Sequence, residues 1–287
     1  MDFELHIDEA VCIKCLRCVR VCPSRIFYPE EGADKKIGLQ NVSGCIVCGH
    51  CAAACPTGAV VHSEFPPEKV HKIDRRVLPS PEQVMLLCRA RRSNRAFLPD
   101  AVPGSMLDQI LEAAHRAPTA SNLQQVEFTL VTDPGKLREI GQYTVDVFMS
   151  AARKLENPLL KPVLKRIVPG VYGYLPAFHR LAEEWKKGND LILRGATAAI
   201  FIHTPQKSRF GMQDANLAYE NGSLMAESLG VSQFYTGFVC SAAQQDKGGL
   251  EKLLGVEGKV HAGMALGMPM FKFPNYIDKK KIKVTRI

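Results

Sequence analysis

The chain has 287 residues, 46% of them hydrophobic, which is enough apolar material for two packed domains. No apolar run reaches the length of a membrane span, and the first residues lack the features of a secretory signal, so we expect a cytoplasmic protein. The formal net charge of +8 raises the question of nucleic acid. Because no basic stripe is interleaved with aromatic residues, we expect no nucleic-acid partner, and the lack of a long apolar run leads us to expect no membrane partner.

The cysteines are the first informative feature along the chain. Eight of the ten form two copies of one pattern. In each copy two residues separate successive members of a group of three cysteines, and a fourth cysteine follows after three more residues, directly before a proline. Three thiolates on one tight loop can hold three corners of an iron–sulfur cubane, and the fourth corner needs a cysteine from elsewhere. The first copy comprises Cys12, Cys15, Cys18 and Cys22, and the second comprises Cys45, Cys48, Cys51 and Cys55.

This spacing resembles that of two-cluster bacterial ferredoxins, in which the fourth cysteine of each run binds the other cluster. The resemblance implies two [4Fe-4S] clusters, one held by Cys12, Cys15, Cys18 and Cys55 and the other by Cys45, Cys48, Cys51 and Cys22. Structural zinc sites are an alternative, but they explain neither the third cysteine nor the prolines. A disulfide framework does not suit the short spacing or the expected compartment. Cys88 and Cys240 lie outside both runs, and we expect ordinary buried thiols there.

The predicted elements change character after the cysteine runs. A repeated order of strand, cysteine loop and short helix leads to a proline-rich connector, where we place a domain boundary near residue 75. Beyond it, helical periodicity predicts helices over Glu82–Ala90, Ser105–Ala117 and Asp214–Gly230, and β-rich runs predict strands over Phe128–Thr132 and Ala198–His203. We therefore expect an α+β fold, with a ferredoxin-like domain over 1–75 and a second domain over 76–287.

The second domain contains two short motifs: an arginine-rich box with Arg91, Ser93, Arg95 and Phe97, and a loop that begins at Pro118 and ends at the amide of Gln124. Both resemble motifs of the FMN-dependent nitroreductase family. The resemblance implies that Arg91 and Ser93 serve the FMN phosphate and ribityl chain, and that Arg95 lies at the pyrimidine edge of the flavin. Arg92 is also expected to bind the cofactor. The positions that match the second motif are Pro118, Thr119, Asn122 and Gln124.

Two further stretches extend this resemblance to residue 287. The turn at Thr236 and Gly237 matches a family loop whose backbone N–H contacts flavin N5, although an ordinary loose turn is an alternative there. Lys279 and Lys280 stand where a basic residue of the family closes on the phosphate. Lysine retains the charge but loses the bidentate fork of arginine, so a solvated tail is an equal alternative for these two residues. Family members bind FMN at a homodimer interface, which implies a homodimer here.

The segment from 145 to 190 is expected to form a helical cover over the flavin. Its aromatic residues are Tyr172, Tyr174, Phe178 and Trp185, which we expect to serve in packing more than in a pocket. Leu159–Ile167 is basic and amphipathic, and a membrane-surface role for it is a minor alternative.

These features together predict an oxidoreductase of nitroreductase type. Ferredoxin or NAD(P)H would donate electrons, two [4Fe-4S] clusters would relay them to FMN, and a small nitro, quinone or enone compound would accept them. An electron-transfer module that serves a partner protein is the alternative function, and a zinc-bound or cluster-free binding protein is a third. No side chain is identified as a catalytic acid. No glycine-rich nicotinamide fingerprint follows a strand, although NAD(P)H can also stack directly on a flavin.

Overall fold

The computed structural model describes residues 3–32 and 36–287. Two compact units are present: Met1–Pro79 with Ser121–Leu123 form the first, and Ser80–Ala120 with Gln124–Ile287 form the second. The division follows Pro79, whereas the connector composition placed it near residue 75. Among the described residues, no helix is both long enough and apolar enough to cross a membrane.

The first unit repeats one short motif twice. Each half contains a strand, a cysteine loop, a five-residue helix and a second strand. The two halves interlock, because β1 pairs with β4 and β2 pairs with β3, both antiparallel. The elements are β1 (Leu5–Ile7), α1 (Arg17–Val21), β2 (Phe27–Pro29), β3 (Ile37–Leu39), α2 (His50–Ala54) and β4 (Val60–His62).

The second unit is built on a four-stranded antiparallel sheet in the order β5-β6-β8-β7. Helices cover both faces of this sheet, which makes a three-layer α+β domain and confirms the expected fold class. The strands are β5 (Glu127–Val131), β6 (Ala198–Thr204), β7 (Ser232–Tyr235) and β8 (Lys259–Gly267). The helices are α3 (Pro81–Ala90), α4 (Gly104–His115), α5 (Pro134–Glu156), α6 (Lys161–Ile167), α7 (Leu175–Lys186), α8 (Gly211–Leu229), α9 (Gly237–Gln245) and α10 (Gly249–Leu254).

Strand β6 lies at the centre of this unit, and every one of its residues is buried. Successive side chains of a strand point to opposite faces of the sheet. Ile200 and Ile202 therefore pack in the apolar layer formed with α4 and α8, while Phe201 packs in the layer formed with α5, α7 and α9. Burial on both faces explains why the sequence of β6 is a continuous apolar run.

Helix α5 is the main element that the sequence analysis missed. Asp133, Pro134 and Gly135 directly follow the strand expected over Phe128–Thr132, and they begin this 23-residue helix. The Asp133 carboxylate accepts a hydrogen bond from the backbone N–H of Lys136, and Pro134 occupies the first turn, where its missing N–H costs nothing. As a result Val145, the expected start of the cover segment, is buried in the core.

The aromatic residues of the 145–190 segment contribute to packing. Phe178 stacks on Phe148 with ring centroids 4.7 Å apart, and the Trp185 ring lies against Gly141, where a Cβ would meet it. The Tyr172 hydroxyl donates to the Leu155 carbonyl at 3.0 Å. These contacts join α7 and the preceding turn to α5.

Two glycines that flank the loop before β8 provide a stability test. Gly255 and Gly258 both have positive φ, at +69° and +113°, but a Cβ on Gly258 would meet the Thr204 carbonyl, whereas one on Gly255 would meet nothing within 4 Å. We expect Gly258→Ala to lower the free energy of unfolding by about 1–3 kcal/mol more than Gly255→Ala. Denaturant unfolding followed by circular dichroism measures the difference, and equal losses in the two variants would contradict it.

Candidate cluster and flavin sites

One set of cysteines converges on a cavity in the first unit. Cys12, Cys15, Cys18 and Cys55 all line it, although Cys55 comes from the second cysteine run. The loop reaches around the cavity with positive φ at Lys14 and Leu16. The set is the one that the crossover arrangement predicts for the first cluster.

The second run has a similar loop. Val47 and Gly49 have positive φ, which lets the chain turn sharply between successive cysteines. Three of the remaining four cysteines, Cys22, Cys45 and Cys51, lie in or against the apolar core of the unit, which contains Ile26, Phe27 and Val60.

The protein environment by itself gives the cysteine thiols different pKa values. Burial raises the pKa of Cys51 to about 11, and burial also raises the pKa of Cys18. At Cys55 burial acts in the same direction but is outweighed by hydrogen bonds, chiefly from the Thr57 N–H, and its pKa is lowered. Because a coordinated thiol is deprotonated by the positive charge of the metal, an iron–sulfur core would supply the ionisation that burial opposes at Cys51.

Several hydrogen bonds reach the sulfur atoms. The backbone N–H of Val47 donates to Cys45 Sγ at 3.4 Å, and that of Ile26 donates to Cys22 Sγ at 3.5 Å. His62 Nε2 lies 3.8 Å from Cys45 Sγ, a contact that the sequence analysis did not identify. Burial lowers the pKa of His62, although Glu64 acts in the opposite direction.

The thiolate set suits iron–sulfur chemistry, because soft sulfur ligands favour Fe–S clusters and zinc. In residues 3–32 and 36–287, no three Cys, His, Asp or Glu side chains are grouped as ligands of one metal ion would be. The four cysteines of the first set instead surround a cavity.

The arginine-rich box lies between α3 and β7 in the second unit. Arg91 Nε is 3.6 Å from a carboxylate oxygen of Glu220, and the Arg95 guanidinium lies 5.3 Å from the centre of the Phe234 ring. Ser93 forms an isolated parallel bridge with Gln233 of β7. The box is therefore attached to the edge of the sheet.

The tail after β8 holds this box in place. Leu98 N–H donates to the Met268 carbonyl at 2.8 Å, and Met270 N–H donates to the Ala96 carbonyl at 3.0 Å. The Asn94 amide donates to the Phe271 carbonyl at 2.9 Å. Asn94 is buried, and the sequence analysis did not assign it this role.

An unpartnered amide is present beside the box. Gln233 is 1% exposed; its Oε1 accepts a hydrogen bond from the Tyr219 hydroxyl at 2.7 Å, while its Nε2 has no partner among the described residues. Both Arg91 and Arg95 lie close enough to Tyr219 to act on its pKa, which burial nevertheless raises. A spare donor and a group of guanidinium ions fit a polar anionic ligand such as FMN.

The turn before α9 offers backbone donors more than a side chain. Thr236 is buried, its hydroxyl lies 3.7 Å from Cys240 Sγ, and Gly263 leaves the room that the hydroxyl needs. Gly237 is exposed and begins α9, where the first backbone N–H groups of a helix lack partners within it. The side chain of Thr236 therefore faces the interior, and Gly237 provides the accessible backbone.

The loop of the second motif is held by its own polar groups. Gln124 N–H donates to the Thr119 hydroxyl at 3.0 Å, and Ala120 N–H donates to the Asp214 carboxylate at 3.1 Å. Asn122 belongs to the first unit, where its amide donates to the carbonyls of Ile46 and Val47 at 3.2 and 2.8 Å. Pro118 and Gln124 are exposed.

The remaining predicted residues have mixed outcomes. Lys279 and Lys280 are exposed within the tail. Cys240 is buried, as expected, but the expectation of a buried thiol at Cys88 is wrong, because Cys88 is exposed. The reason is that α3 has no buried residue in this chain.

Comparison with known proteins agrees with both halves of this description. The profile of the Nitroreductase family matches residues 88–268, and that of a 4Fe-4S dicluster domain matches residues 4–56. A ferredoxin from Methanocaldococcus jannaschii is 33% identical over 69 residues, which cover 24% of this chain and 90% of that protein. Archaeal-type glutamate synthases from Thermotoga are 37% identical over 59 residues, but the chain spans only 11% of their length.

Solved nitroreductase structures share the fold of the second unit. An FMN-bound nitroreductase from Bacteroides fragilis is 22% identical with a TM-score of 0.53, and the match covers 71% of this chain and 98% of that one. An FMN-bound nitroreductase from Desulfitobacterium hafniense is 19% identical with a TM-score of 0.54, covering 70% and 97%. The chain belongs to the nitroreductase family and carries a 4Fe-4S dicluster ferredoxin domain ahead of its nitroreductase domain.

Proposed function

We propose that this protein is an FMN-dependent oxidoreductase that passes electrons from a low-potential donor through two [4Fe-4S] clusters to FMN and then to a small electrophilic compound. Reduced ferredoxin or NAD(P)H is the donor, and a nitro, quinone or enone compound is the acceptor. The observation that carries the proposal is the convergence of Cys55 with Cys12, Cys15 and Cys18 in a chain that also has a nitroreductase domain.

The roles of the flavin-site residues follow from their charge and attachment. FMN supplies two-electron redox chemistry when bound. Arg91, Arg92 and Ser93 hold its phosphate and ribityl chain, and Arg95 favours the reduced flavin by offsetting negative charge at the pyrimidine edge. The exposed backbone of Gly237 donates to the flavin ring. Because the tail fixes the box through backbone hydrogen bonds, the backbone that carries the guanidinium groups is held in place before the cofactor binds.

The proposed assembly is a homodimer. Helix α3 exposes Val84, Met85 and Leu86 at 45%, 51% and 56%, and the tail exposes further large apolar side chains. Exposed large apolar side chains in this number favour a protein–protein contact. A second copy of the chain would cover them.

The relay is tested by removing one cluster ligand. We expect Cys48→Ala to lower the iron and sulfide content and to abolish reduction of FMN by reduced ferredoxin, because one cluster is lost while FMN remains bound. Stopped-flow absorbance under anoxia measures the reduction. Cys88→Ala, at an exposed cysteine outside both runs, should behave as the wild type. Reduction of FMN at the wild-type rate in Cys48→Ala would overturn the relay.

The phosphate role of Arg91 is tested by the affinity for FMN. We expect Arg91→Ala to raise the Kd of the apoprotein for FMN by about 10- to 100-fold, because a charge-assisted contact is worth about 1.5–3 kcal/mol. Flavin fluorescence titration gives the Kd. Arg116→Ala removes an exposed arginine paired with Glu112 and should leave the Kd unchanged. An unchanged Kd in Arg91→Ala would refute the assignment.

The dimer is tested through its proposed interface. We expect the wild type to have the mass of two chains by light scattering, and Leu86→Glu to shift it toward one chain because a buried unpaired carboxylate opposes association. Ile73→Glu, at a residue 71% exposed in the connector, should keep the wild-type mass. A monomeric wild type would disprove the proposal.

A further inference from the structure

The environment of Cys45 contains a buried histidine that the cluster motif does not explain. His62 is the last residue of β4 and is 2% exposed. Its Nε2 atom lies 3.8 Å from Cys45 Sγ, within hydrogen-bond range for sulfur. A buried polar side chain needs a partner, and here the partner is a predicted cluster ligand.

A backbone hydrogen bond fixes which ring nitrogen carries the proton. The N–H of Glu64 donates to His62 Nδ1 at 3.2 Å, so Nδ1 is an acceptor and has no hydrogen of its own. In a neutral imidazole the other nitrogen is then the donor. His62 therefore presents an N–H to Cys45 Sγ.

Aromatic contacts fix the plane of the ring. Phe3 stacks on His62 with centroids 4.7 Å apart and an interplanar angle of 20°, and Phe65 contacts it edge-on at 5.0 Å. Antiparallel pairing with Leu5 of β1 holds the backbone of His62 in place. The imidazole has little freedom to turn away from the sulfur.

The internal repeat supplies a comparison within the chain. The offset that relates Cys45 to Cys12 also relates His62 to Pro29, which lies on β2 as His62 lies on β4. Proline has no side-chain hydrogen-bond donor. The first half of the repeat thus has no equivalent of the His62 contact at its own corresponding position.

We propose that His62 is a positioning residue that donates a hydrogen bond to the Cys45 thiolate and raises the reduction potential of the cluster that Cys45 binds. Reduction adds one electron, and thus one negative charge, to a cluster and its four thiolates. A donor to a ligand sulfur stabilises the more negative state, and hydrogen bonds to sulfur are among the factors that set these potentials. The two clusters of one chain are thereby made unequal. This inference rests on the proposed content of two clusters.

The test is a redox titration of the anaerobic holoprotein followed by electron paramagnetic resonance. We expect two reduction waves in the wild type, one for each cluster. His62→Phe keeps an aromatic ring between Phe3 and Phe65 but removes the N–H, so one wave should move to a more negative potential while the other stays in place. His62→Gln restores an amide donor and should recover part of the shift. His6→Phe makes the same substitution at an exposed histidine of β1 and should move neither wave.

The outcomes separate this inference from the proposed function. A wild type without cluster signals after reconstitution would refute the two-cluster proposal. Normal signals with unmoved waves in His62→Phe, or a shift to a more positive potential, would refute the role of His62 alone.

A measurement on protein with His62 intact covers the case in which His62→Phe does not assemble. Pulsed electron paramagnetic resonance of the reduced protein, labelled with 15N-histidine, should show an imidazole nitrogen coupled to the electron spin of the cluster. The experiment is done in the His50→Gln variant, because His50 adjoins Cys51 in sequence and its own nitrogen atoms would otherwise contribute to the signal. Absence of that coupling would equally overturn the inference.

Discussion

The convergence of four cysteines on one cavity is the constraint on which the first unit depends. Three cysteines on one loop can occupy only three corners of a cubane, so the proposed ligand set requires Cys55 to return to the loop that begins at Cys12. Pairing of β1 with β4 achieves this return, because β4 begins shortly after Cys55 and β1 ends shortly before Cys12. The interlocked halves therefore serve the proposed ligand set, and the small apolar core beneath them is a consequence.

The second unit meets a different requirement, which is to hold several cations close together. Mutual repulsion within the arginine-rich box is reduced by Glu220 and by the face of Phe234. The box gains its shape from partners distant in sequence: Gln233 bridges Ser93, and the chain after β8 pairs with residues 96–98. A fully buried central strand provides the rigid support for these contacts.

Much of this organisation was accessible from the sequence, because it depends on spacing. The cysteine runs, the arginine-rich box and the α+β class follow from residues near one another along the chain. What the sequence did not show depends on tertiary contact. His62 reaches Cys45 only because β4 is folded against β1. Asn94 donates a hydrogen bond to Phe271, which lies 177 residues further along the chain. Thr236 turns inward because Gly263 lacks a side chain, and Cys88 is exposed because no face of α3 is buried within one chain.

The contact between the arginine-rich box and the tail also bears on biosynthesis. The box leaves the ribosome long before Met268–Phe271, the residues that complete its hydrogen bonds. Domains generally fold from the amino terminus as they are synthesised, so the cysteine unit can form early. The arginine-rich box, in contrast, attains its full set of hydrogen bonds only after Met268–Phe271 have been synthesised. A ligand that needs the completed box can therefore bind only after this later segment has left the ribosome.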